Sequence, residues 1–202
     1  MSIFATARTA FGNAGMKRAE AARWSAAATL ADLGELTAQW LEGNIRETPS
    51  YLGRPDAETL PLVPVLAAVN RAGFVTDQSQ PGCFEDGWAQ RAAVTGFADD
   101  AMCDALAAAC RDHGDLTFMA WKPGRWRTRS RNAVDVTWCG RTAVTGFGIQ
   151  LSRRFLRWEY RCCSRAAVAA VCDAWQVTII DRQLGRNDLL WQVLELAIEE
   201  RS

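Results

Sequence analysis

The chain is poor in several things that chemistry-bearing proteins often have. It contains a single histidine, His113, and no CxxC pair, so no zinc site with recognisable ligand spacing can be read from it. It has no GxGxxG following a strand and no GxxxxGK[ST], which argues against a dinucleotide-binding or P-loop domain. No apolar run approaches the roughly 20 residues a membrane span needs. There is no excess of either charge: Lys+Arg and Asp+Glu number 23 each, so no net field calls for nucleic acid or an acidic membrane. No internal repeat is visible.

What is present is an ordinary globular balance, 49% hydrophobic and 23% charged, in 202 residues. That length can bury a sizeable core as one domain. Nine tryptophans are many for the length, and most are expected in packing. Seven cysteines, an odd number at irregular spacing, read as reduced thiols in a cytoplasmic protein. Cys103 and Cys110, seven residues apart on one expected helix, suit a buried face.

Patterning gives the elements. Residues 1–28 are Ala-rich and poorly patterned and are expected to form a flexible N-terminal extension, with the domain proper over 29–202. Thr29 and Asp32 have capping-box spacing at the start of an apolar-faced helix that Gly43 can end. Residues 44–57 read as a loop. A second helix is expected from Thr59 to Ala72, with Pro61 and Pro64 in its first turn. Phe74 to Thr76 is a short strand, 83–87 a loop, and Trp88 to Phe97 one strand. Asp99 or Asp100 caps a helix through Cys110. Leu116 to Trp121, Val134 to Cys139, Val144 to Leu151, Phe155 to Tyr160 and Val177 to Ile180 are expected strands. Cys163 to Ala174 is a helix, and Asp188 caps a last one with a broad apolar stripe. Helices and strands alternate without a βαβ period, so the expected fold class is α+β: one compact domain of mixed or antiparallel sheets flanked by helices.

The stretch richest in chemistry is Asn70-Arg-Ala-Gly-Phe-Val-Thr-Asp-Gln-Ser-Gln-Pro-Gly82, where small hydroxyl and amide side chains cluster as the chain leaves a strand. Together with Ala57-Glu58-Thr59 ahead of it, Asn132-Ala-Val-Asp-Val-Thr-Trp138 followed by Gly140-Arg141, and Leu190-Trp-Gln-Val193, it resembles the C-terminal regulatory domain of eukaryotic methylenetetrahydrofolate reductase. The likeness runs in order over roughly residues 29–199. It implies a domain that binds S-adenosylmethionine or S-adenosylhomocysteine. The implied ligand-binding residues are Glu58, Thr59, Thr76, Ser79, Thr137 and Thr145. Asp135 stands as an insertion within the family's strand motif, and the loop after Pro81 is shorter than the family's. The family's flavin-binding barrel has no room within this sequence, so reductase activity is not expected of it.

The residue types suit the ligand. Hydroxyls can donate to and accept from a ribose diol and ring edges, and a carboxylate can offset a sulfonium or amine. Trp88 or Trp138 can stack on adenine. Each residue also has a plain structural role: Glu58 and Thr59 at a helix start, Thr76 in a strand, Ser79 in a turn.

Three readings stay open. The first is a sensor or regulatory domain for an adenosyl ligand, with no further cofactor and no metal. The second is a protein-interaction module with a degenerate pocket. The third is an enzyme acting on an adenosyl substrate. A protein partner is compatible with the first two; nucleic acid and membrane are not expected. The basic loop 122–131, with Trp126 among its cations, reads as solvated or as a clamp over an anionic ligand or the pocket.

Overall fold

The computed structural model describes Met16, residues 18–125 and residues 128–199. Among these, seven α-helices accompany two four-stranded antiparallel sheets in a single α+β domain.

Helix α1 (Arg18–Ala26) lies within the segment expected to be a flexible extension. Its Trp24 is 1% exposed, and the indole N–H donates to the Glu47 carbonyl at 3.0 Å. The packed body therefore begins before residue 29. The remainder of the expected extension, apart from Met16, falls outside the described residues up to Lys17. Helix α2 (Leu30–Leu41) begins as read: Thr29 Oγ1 accepts from the Asp32 N–H, and Asp32 Oδ2 accepts from the Thr29 N–H.

The expected second helix is two pieces. Residues Ala57–Leu62 form a 3-10 helix containing Pro61, and α3 (Val63–Arg71) follows. Gly73, at φ 106°, turns the chain into strand β1 (Phe74–Gln80).

Strand β1 is more than twice its expected length and carries a bulge between Thr76 and Gln78. Residues expected as an acidic loop instead build a hairpin, β2 (Cys83–Glu85) and β3 (Trp88–Gln90), on a tight turn in which Asp86 and Gly87 both have positive φ. The single strand expected from Trp88 to Phe97 is divided: after β3, Arg91 and Ala92 carry the chain into β4 (Ala93–Ala98), in the other sheet.

Helix α4 (Asp100–Arg111) is capped by Asp99, and it buries Cys103 and Cys110 as expected. Strands β5 (Leu116–Trp121), β6 (Val134–Cys139) and β7 (Thr142–Phe147) follow. The segment around Phe155 is helical rather than extended: α5 (Arg153–Glu159) starts at Ser152, whose Oγ accepts from the Phe155 N–H. Its run of aromatics favours a strand by composition, and the cap decides against it. Helix α6 (Arg165–Asp173), strand β8 (Trp175–Asp181) and helix α7 (Leu189–Glu199) complete the chain.

One sheet has the order β1-β4-β8-β5 and the other β2-β3-β6-β7. The first is buried on both faces. Helices α3, α4 and α7 cover one side, where Leu66, Val94, Met102, Ile179 and Leu194 pack. Helices α1, α2, α5 and α6 cover the other, against Val75 and Phe97. The period of two along β1 and β4 sends adjacent residues to these separate cores. A third, small cluster of Ala93, Val136, Phe147 and Ile180 joins the two sheets. The candidate site lies near that junction.

Candidate functional site

A cavity of about 350 Å3 opens beside the junction of the two sheets. Its volume is in the range of small-molecule clefts, roughly 300–1,000 Å3. Of the expected ligand-binding residues, Glu58, Ser79 and Thr145 line it. Phe147 and Phe155 supply aromatic wall, and Gln80, Thr95 and Gln176 add buried polar groups.

Thr137 does not line this cavity. It is 4% exposed and sits directly behind the wall, where its hydroxyl donates to Gln80 Oε1 at 3.0 Å. Thr137 also pairs with Gln90 on β3 and with Thr145 on β7, so one register line joins three strands. The Gln90 side chain in turn lies next to Glu58 and favours its charged form.

Thr59 and Thr76 are elsewhere. They line a smaller, tighter cavity of about 50 Å3 with Trp24, Trp40 and Tyr51. Gln78 and Ser79 line both cavities, so the two abut at the β1 bulge. Thr76 is held there by Asn70: its backbone N–H donates to Asn70 Oδ1 at 2.9 Å, and Asn70 Nδ2 donates to Thr76 Oγ1 at 2.7 Å. Adjacent residues Glu58 and Thr59 face different cavities because they lie on a tight 3-10 turn.

The electrostatics centre on Glu58. Burial pushes its carboxyl above the usual range, the neighbouring Asp56 charge adds to that, and the nearby Gln90 amide opposes both. Asp56 accepts the Tyr51 hydroxyl at 2.9 Å, and burial with that contact pushes the phenol up to about 12. A half-buried acid among apolar and hydroxyl groups is suited to a ligand that carries a positive charge.

Neither Trp88 nor Trp138 lines either cavity, so the expected stacking role is not theirs. Trp138 instead has the Arg91 guanidinium 5.1 Å from its ring centre. Phe147 and Phe155 are the aromatic surfaces that the larger cavity offers.

The basic loop also reaches this cavity, through Thr128, whose hydroxyl accepts the Ser152 N–H at 3.3 Å. Lys122 is committed elsewhere: its ammonium donates to Asp100 and to the Asp173 carbonyl and lies over Trp175. Trp126 lies outside the described residues.

Thr95, Thr128 and Gln176 were not identifiable as site residues from sequence. Thr95 bonds Val177 and Thr178, and Gln176 bonds the backbone of Ile149 and Leu151. Such side chains read as ordinary strand and loop positions until the sheets are assembled.

All seven cysteines are free thiols. Among the described residues no group of three or more His, Cys, Asp or Glu could hold a metal ion, and no helix is long and apolar enough to cross a membrane.

Residues 19–201 match the family model described as "Domain of unknown function (DUF6919)". The chain belongs to that family. No curated protein matches it by sequence.

Proposed function

We propose that this domain binds S-adenosylmethionine or S-adenosylhomocysteine in the cavity at the sheet junction and acts as a sensor or regulatory partner. The observation that carries the reading is the convergence of Glu58, Ser79 and Thr145, three positions distant in sequence, on one cavity of about 350 Å3. The ordered resemblance to the regulatory domain of methylenetetrahydrofolate reductase supports the same choice of ligand.

In this reading Ser79 and Thr145 hydrogen bond the ribose or amino-acid end. Glu58 faces the sulfonium or amine, and Phe147 or Phe155 takes the adenine face. Thr137 positions Gln80 from behind. Thr59 and Thr76 set the 3-10 turn and the β1 bulge from the smaller cavity. The free thiols suit a cytoplasmic setting. Regulation requires the ligand to favour one conformation or complex over another.

Calorimetric titration with both adenosyl compounds tests the proposal. Saturable heat and a raised melting temperature are expected. Absence of both at millimolar ligand rejects it, as does unchanged affinity in a Ser79→Ala, Thr145→Val variant.

A second reading is a protein-interaction module. It rests on Phe84, 67% exposed on the β2–β3 hairpin, and Leu60, 57% exposed beside Glu58. A stable co-purifying partner without adenosyl binding favours that reading.

A further inference from the structure

A third concavity, of about 480 Å3, lies between α5 and α6. Arg153, Arg157, Arg161 and Arg165 line it, with Asp173 as the acid among its lining residues. Arg153 and Arg157 stand one turn apart on α5, about 6 Å along the axis. Arg161 follows just past the end of that helix, and Arg165 opens α6.

Little of this charge is neutralised locally. Asp173 pairs with Arg153 at 2.9 Å. Arg161 lies over the Trp158 ring at 4.9 Å and donates to the Trp158 carbonyl, contacts that leave its charge in place. Arg157 and Arg165 are exposed and form no ion pair with any described residue. Glu159, the acid on α5, is 3% exposed and does not line the groove.

The arrangement works against helix stability. The positive end of a helix favours acids, yet the first turns of α5 and α6 contain none and carry Arg153, Arg154 and Arg165. Like charges one turn apart repel along the same ridge. Positions that break such local rules are where a ligand is expected to supply the compensation.

The wider field has the same sign. Residues 122–165 hold 11 of the chain's 23 Lys and Arg but only Asp135 and Glu159 of its 23 Asp and Glu. The basic loop is tied to the start of α5, with the Arg153 N–H donating to the Gly124 carbonyl at 2.7 Å and Arg129 pairing with Gln150. The neutral total therefore conceals one strongly basic region.

We propose that the groove binds an oligophosphate group, with successive phosphates held by separate guanidinium forks. Guanidinium is planar and presents paired donors that match phosphate oxygens. One carboxylate or one phosphate would engage one or two of the four arginines. A short phosphate chain engages the set. The concave shape, with Val168 and Ala169 among its walls, favours a compact anion over an extended strand. The inference is independent of the adenosyl reading, which concerns the cavity lined by Phe155 of the same helix.

The test is calorimetric titration of the whole chain, in low salt, with inorganic triphosphate, with adenosine triphosphate and with a short oligothymidylate. Both triphosphates are expected to bind with similar affinity. The Arg157→Ala, Arg165→Ala variant is expected to weaken both by at least about tenfold without lowering the melting temperature. The Arg54→Ala, Arg111→Ala variant removes equal charge outside both the groove and the basic region and is expected to bind as wild type. No binding at millimolar triphosphate overturns the proposal, and so does equal loss in the two variants. Tighter binding of oligothymidylate than of triphosphate also overturns it, in favour of a nucleic-acid surface. Binding of adenosine triphosphate alone shows recognition of the nucleoside and overturns it too.

Discussion

Asn70 grips Thr76 at both ends of its amide, accepting the Thr76 N–H at 2.9 Å and donating to the Thr76 hydroxyl at 2.7 Å. Asn70 is fully buried at the end of α3 and also donates to the Leu66 carbonyl. The last turn of the helix is thereby fastened to the strand just before its bulge. Asn70→Ala removes all three bonds and leaves the part-buried Thr76 N–H without its side-chain acceptor. A loss of about 1–3 kcal/mol is expected, read from urea unfolding. Adenosyl affinity is expected to fall as well, since Ser79 follows directly from the bulge that Asn70 fixes.

Glu58 gives a pH-dependent prediction. Burial raises its folded pKa above the ordinary 4.5, so the folded state holds the proton more tightly than the unfolded chain does. Stability linked to this group is therefore fully present in acid and declines as pH rises from about 4.5 through the folded value. Glu58→Gln removes that decline. Compared across pH 4 to 7, the variant is expected to gain on wild type toward neutrality while losing affinity for the cationic S-adenosylmethionine. An unchanged difference in unfolding midpoint across this range contradicts the assignment.

Gly96 pairs with Thr76, and a Cβ on it would meet the Val75 carbonyl at 2.4 Å and Thr76 Cα at 2.9 Å. These are backbone atoms of β1 and cannot step aside. Gly96→Ala is expected to destabilise by about 1–3 kcal/mol, measured by chemical unfolding, and to displace the bulge that shapes both cavities.

Asp181 is fully buried and accepts two hydrogen bonds from Arg186, at 2.7 and 2.8 Å. Breaking a buried pair from one side leaves the other charge uncompensated. Arg186 retains the exposed Asp115 as a partner, so Asp181→Ala is expected to cost about 3 kcal/mol, the lower end for such pairs. Thermal and urea unfolding of the single and Asp181→Ala, Arg186→Ala double variants measure this. The double variant is expected to be the less damaged.

Much of the fold is legible locally, and the exceptions have tertiary causes. The Thr29–Asp32 box and the Asp99 cap are written in adjacent residues, and both helices start there. The break between β3 and β4 is not, because Arg91 and Ala92 leave one sheet for another with no Gly or Pro to mark it. The α5 segment reads as a strand from Phe155, Trp158 and Tyr160, while one hydroxyl at Ser152 starts a helix. Trp24 lies in an unpatterned Ala-rich stretch, and its burial depends on α2 and the residue 47 loop.

The site shows the same division. Resemblance points to six residues, but which of them share a cavity depends on the 3-10 turn at Glu58 and the bulge at Thr76. The first separates Glu58 from Thr59. The second leaves Ser79 at the boundary of both hollows. Basicity in 122–131 and in 153–165 is visible in sequence. The pairing of Gly124 with Ser152, which merges the two segments, is not.

Hydrogen exchange with saturating S-adenosylmethionine tests the central claim most directly. Slowed exchange is expected at residues 76–80 on β1 and 144–149 on and after β7, with the α5–α6 groove unaffected. Protection absent from those strands, or found only at the groove, contradicts an adenosyl site between the sheets.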